Sequence, residues 1–96
     1  MAAFRFSRSA EGDLLSIGEH TLRTWGAVQV ARYLDELEVC CQRLAENPAL
    51  GRRCDDFRPG LRRLEHGQHV VLYREDDDGV LVSRILHQRM DFEQHL

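Results

Sequence analysis

The stretch Val80 to Asp91, VLVSRILHQRMD, limits what this chain can fold into more than any other. Successive side chains of a strand point to opposite faces, and Val80, Leu81, Val82, Ile85 and Leu86 put apolar groups on both, which a half-solvated edge strand avoids. The stretch therefore reads as the last strand of a sheet and a central one, leaving through a polar exit made by His87, Arg89 and Asp91. Something must cover each face. Long helical patterns earlier in the chain supply one cover; nothing obvious supplies the other, so a second protein is expected there.

Ninety-six residues make one small domain, residues 1–96, which buries only about 60% of the surface of its unfolded chain. No apolar run approaches the roughly 20 residues of a membrane span, and MAAFRFSRSA lacks the apolar core of a signal peptide, so a cytoplasmic protein is expected. Cys40, Cys41 and Cys54 are odd in number and lack metal-binding spacing, and they read as buried or idle thiols. The formal charge of −3 argues against a nucleic-acid backbone as the main partner of the chain alone. All 13 basic residues are arginine, so a lysine-dependent mechanism is excluded.

Phe4 and Phe6 flank Arg5 with the alternation of a short strand. Ser7 or Ser9 then caps a helix whose face is Ala10, Leu14, Ile17, Thr21 and Trp25, ending near Gly26. A second helix follows from Ala27, with Val30, Leu34, Leu37, Cys41 and Leu44 on its apolar stripe and Asn47-Pro48 as its stop. Two amphipathic helices joined this tightly predict an antiparallel helical hairpin lying over one sheet face. An irregular segment runs from Pro48 to Gly60, and strands at Leu61–His66 and His69–Glu75 precede the last one. The expected fold is α+β, in the order β-α-α-β-β-β, with an antiparallel sheet covered on one face by the hairpin.

Few residues group into recognisable chemistry. His66, His69 and His87 could in principle converge on zinc, but strand-end polar residues are the commoner case, and no metal or other cofactor is expected. Asp76 to Asp78 lacks the alternating ligands of a calcium loop. Arg52, Arg53, Arg58, Arg62 and Arg63 outnumber Asp55 and Asp56 in a short interval. That patch either balances the carboxylates of the helices or docks an acidic partner.

Several segments, taken in order, resemble the ParE-type toxins of the RelE/ParE toxin–antitoxin superfamily. They are Asp13-Leu14 with Ile17, Trp25-Gly26, Ala31-Arg32-Tyr33-Leu34, Leu44-Ala45-Glu46-Asn47-Pro48 with Leu50-Gly51-Arg52, Tyr73-Arg74, and Arg84-Ile85-Leu86-His87-Gln88-Arg89-Met90-Asp91. The resemblance implies a small bacterial toxin that is not itself an enzyme, is neutralised by a wrapping ParD-like antitoxin, and inhibits DNA gyrase when released. The target-facing residues are then expected at the strand exit and tail: Arg84, His87, Arg89, Met90, Asp91 and Phe92. The arginine patch is a second partner-binding candidate. The alternative is a ribosome-dependent mRNA endoribonuclease of the RelE type, which here could use only Arg62, Arg74, Arg84 and His87. A toxin relative without toxicity is a third, lesser reading.

Overall fold

The computed structural model describes residues 3–89. Strand β1 (Phe4–Phe6) leads into α1 (Arg8–Trp25) and α2 (Ala27–Glu46), then a short 3-10 turn (Pro48–Leu50), β2 (Arg52–Arg53), β3 (Arg62–His66), β4 (His69–Asp76) and β5 (Gly79–His87). The five strands form one sheet in the order β1-β5-β4-β3-β2. The α+β class, the helical hairpin and the internal position of the last strand agree with expectation. The sheet is mixed rather than antiparallel: β1 runs parallel to β5, pairing Phe4 with Val80 and Phe6 with Val82, while the other neighbours are antiparallel. Alternation identifies a strand but not its direction, which is set here by where the helical hairpin must start. The extra strand, β2, has no apolar pattern; Arg52 and Arg53 join through backbone pairing to Arg63 and Arg62 and leave a charged edge that discourages further pairing.

Ser7 caps α1, its hydroxyl accepting from the Ala10 N–H at 3.0 Å and donating to the Ser83 carbonyl at 2.6 Å. Gly26, at φ 88°, ends α1 and starts α2, a conformation that a side chain would strain. The expected stripes are buried where they cross the sheet: Ala10 and Ile17 on α1, and Leu37, Cys41 and Leu44 on α2, packed with Val71, Tyr73, Val80, Val82 and Ile85. Trp25 departs from its stripe, being 70% exposed at the hairpin tip beside exposed Leu22 and Val28. Helical periodicity marks a face but not how far along the helix the sheet extends. All three cysteines are free and buried, and burial, with Cys40 and Glu38 adding to it, pushes the Cys41 thiol up to about 12.

The second sheet face does not wait for another protein. Residues 54–61 fold back across it, closed by the Cys54 N–H to Leu61 carbonyl bond at 2.7 Å and by Asp55 accepting from the Gly60 N–H at 2.9 Å. Cys54 and Leu61 thereby bury Val70, Leu72 and Leu86 in a small second core. A loop dominated by charge and turn residues hid the two apolar anchors that make it a lid. The sheet itself divides the two cores, and a bulge in β5 resets which side chains face each: Tyr73 pairs with Val82 but Leu72 with Arg84, so Ser83 is an extra residue. Strict alternation from Val80 and Val82 would point Arg84 at the helices; the bulge puts Ile85 there instead.

Candidate functional site

The exit of β5 is built against α1. Beyond Val82 the strand has no β1 neighbour, and α1 takes over the edge through Asp13. Its Oδ2 accepts from the Ile85 N–H at 2.9 Å and from Arg84 Nε at 2.8 Å, and its Oδ1 accepts from Arg84 Nη2 at 2.8 Å. This two-pronged, partly buried pair raises the Arg84 pKa and fixes the side chain in one geometry. Arg84, one of the expected target contacts, is bonded to Asp13 and lines the cavities on both sides of that joint.

Next to that joint, His20, His69 and His87 line a cavity of about 400 Å³ between α1 and the sheet, with Ile17 and Ile85 among its apolar walls. The His69 and His87 rings meet edge to face, their centroids 5.6 Å apart. The Tyr33 hydroxyl lies 2.6 Å from His69 Nδ1 and 3.2 Å from the His66 carbonyl, to which it can donate. His66 turns instead toward Glu36, 3.7 Å away. The three histidines weighed for zinc do not converge: among the described residues no group of three histidine, cysteine or carboxylate side chains could hold a metal ion.

Burial first, and then the neighbouring His87, His20 and His66, hold the His69 imidazole below the usual histidine range. The depressed value has a definite sign. Above about pH 6.5 neither folded nor unfolded His69 is protonated and nothing is lost; below it the unfolded chain takes up a proton that the folded one resists, so stability falls. Urea midpoints measured at about pH 7.5 and about pH 5.5, a window above the carboxylate range, should drop on acidification. His69→Gln should flatten that drop. Equal acid sensitivity in both proteins would contradict this account.

The arginine patch is partly paired. Arg52 and Arg63 both reach Glu65 Oε1, at 2.6 and 2.8 Å, and Arg53 meets Asp55 at 2.7 Å. Arg62 donates to the Gly51 carbonyl at 2.8 Å. Arg58 stands apart, on the loop that crosses the second face, where it shares a cavity with Arg74 and Arg84. Arg74 and His87, the residues a nuclease would have to combine, line different cavities, one under the loop and the other under α1. Arg89 is exposed, with its N–H donating to His87 Nδ1 at 3.2 Å. Met90, Asp91 and Phe92 lie outside the described residues.

Sequence reasoning did not locate the apolar groove beside β1. Phe4, Phe6, Leu14, Leu34 and Leu37 line a cavity of about 510 Å³, with Leu15 70% exposed at its side and Glu11 and Glu38 also lining it. Leu15 lies one position off the buried stripe, and that offset was its signal. A wider groove of about 700 Å³ lies on the other flank of α2, between Val39, Cys40 and Leu50 and the β3 residues Leu64 to His66.

A helical hairpin over a five-stranded mixed sheet, with an apolar groove on each flank of α2, defines a small α+β class of proteins. The chromosomal ParDE toxin–antitoxin system of P. aeruginosa shares this fold, with a TM-score of 0.76 at 20% identity over 91% of this chain and 96% of that one. A family model described as "ParE toxin of type II toxin-antitoxin system, parDE" matches residues 4–92. Toxin ParE1 of Mycobacterium tuberculosis is 42% identical over 94 residues, spanning 97% of this chain and 96% of the relative. Toxin ParE1 of Caulobacter vibrioides is 40% identical over 98 residues, spanning 100% and 99%. The chain belongs to the ParE toxin family of type II toxin–antitoxin systems.

Proposed function

We propose that this protein acts by binding rather than by catalysis, inhibiting DNA gyrase until a ParD-like antitoxin neutralises it. The observation that carries the reading is the separation of Arg74 from His87 across two cavities, together with the commitment of Arg84 to Asp13. General acid–base cleavage of RNA needs its proton donor and acceptor around one phosphate, and the placing of Arg74 and His87 in different cavities, with only Arg84 lining both, counts against that arrangement. That favours binding over the RelE-type alternative. We assign His87 and exposed Arg89, together with Met90, Asp91 and Phe92 that follow in sequence, to the target.

The antitoxin is assigned to the grooves that flank α2. The groove lined by Phe4, Phe6 and Leu15 offers apolar area, and Glu11 and Glu38 suit a segment with large apolar side chains flanked by basic ones. Stable complexes bury about 1,200–2,000 Å², an extent that suits grooves on both flanks of α2, and we assign the two partners to different surfaces. Removing residues 91–96 should abolish or greatly weaken toxicity after induction while leaving tight capture by the antitoxin. Leu15→Glu should do the reverse. A truncated chain that stays fully toxic, or a Leu15→Glu chain that binds the antitoxin unchanged, would show that these surfaces are wrongly assigned.

A further inference from the structure

The cavity under the loop has a composition that the toxin reading does not use. It measures about 320 Å³, at the small end of the range for ligand pockets, and lies between loop 54–61, the N-terminal end of α1 and the outer face of β4 and β5. Arg58, Arg74 and Arg84 line it together with Ser7, Ser9 and Ser83, and no carboxylate is among its lining residues. Arg84 is held by Asp13 and Ser7 by its cap, so both form fixed walls. Arg58 and Arg74 are exposed and make no side-chain hydrogen bond or ion pair among the described residues. Glu75 follows Arg74 directly but is not in the cavity lining, and Asp76, although it feels the Arg74 charge, is bonded to Arg5. Arg52, Arg53 and Arg63 of the neighbouring segment are matched to Glu65 or Asp55, whereas Arg58 and Arg74 face one cavity with no carboxylate in its lining.

We propose that this cavity binds a mononucleotide, with Arg58 and Arg74 on the phosphate and the base against Leu81 and Pro59. Two guanidinium forks and nearby serine hydroxyls offer more donors than the two oxygens of a carboxylate can use, and suit a phosphate. The apolar residues on the remaining walls are what a nucleoside would cover, and an arginine plane can stack on a base. A nucleic-acid strand fits less well: the acidic run Glu75 to Asp78 begins one residue after Arg74, and the chain carries a net charge of −3. The ligand is thus a single phosphorylated nucleoside.

Calorimetric titration of the full chain with AMP, adenosine and a short single-stranded oligonucleotide tests this, with amide shifts locating the site. AMP should bind, perturbing Ser9, Leu61, Leu81 and Ser83, and adenosine should bind at least about tenfold more weakly. Arg58→Gln and Arg74→Gln, both at exposed positions, should each weaken AMP by about tenfold, whereas Arg23→Gln on α1 should not. Adenosine binding as well as AMP, or AMP binding indifferent to Arg74→Gln in a variant with an unchanged melt, would overturn the proposal. So would an oligonucleotide that binds more tightly than AMP, which would make the cavity part of a nucleic-acid groove.

Discussion

Leu37→Asp is expected to leave the chain unfolded at room temperature. Leu37 is 1% exposed and packs into the main core with Cys41, Leu44 and the inner residues of β4 and β5. None of the described groups bonded in that core could pair with a new carboxylate, and an uncompensated buried charge costs several kcal/mol even after relaxation. Small domains have only about 5–15 kcal/mol in total. Circular dichroism should show loss of helix without a cooperative melt. Val28→Asp, at an exposed position on the same helix, should melt close to the parent. A Leu37→Asp protein melting within a few degrees of the parent would mean that the buried stripe of α2 is elsewhere.

Gly51→Ala should be nearly as damaging, for a reason that concerns space rather than backbone angle. Gly51 sits at φ −80°, open to any residue, but a Cβ there would lie 2.5 Å from the Tyr73 hydroxyl oxygen and 2.6 Å from the Arg63 carbonyl oxygen. The tyrosine ring is fully buried. Its hydroxyl accepts from the Gly51 N–H and donates to the Pro48 carbonyl, both at 2.7 Å, so moving it sacrifices two hydrogen bonds as well as packing. The expected loss is about 2–5 kcal/mol, from overpacking plus unsatisfied buried groups. Tyr73→Phe removes the bonds without the clash and should cost less, about 1–3 kcal/mol. If Gly51→Ala proves milder than Tyr73→Phe in chemical denaturation, the clash is being relieved in a way that the structure does not indicate.

The sequence segments that carried the family resemblance are joined in space, which explains why they were legible together and obscure singly. Asp13 grips Arg84 and the Ile85 N–H; Gly51 and Pro48 are tied through Tyr73; Tyr33 bridges to the His66 carbonyl and to His69. The helical hairpin and the internal β5 could be read directly because periodicity records burial. Three features could not. The parallel β1–β5 pairing depends on the path of the chain, the Ser83 bulge on a local mismatch between strands, and the lid at residues 54–61 on two apolar anchors within a charged loop. Counting charges between Arg52 and Arg63 likewise cannot reveal that Glu65, just outside the interval, receives two of the arginines. The groove beside β1 was visible only as Leu15 lying off its stripe.

The effect of the purified chain on gyrase is the most direct test of a binding toxin. Added to gyrase and relaxed plasmid, it should block supercoiling and trap cleaved DNA, and an equimolar antitoxin should reverse the effect. His87→Ala should retain most of that activity, because a binding surface loses one contact, whereas a nuclease losing its acid–base group would fall by about 10²–10⁴-fold. Gyrase left untouched, with mRNA instead cleaved on ribosomes in a manner abolished by His87→Ala, would contradict that reading.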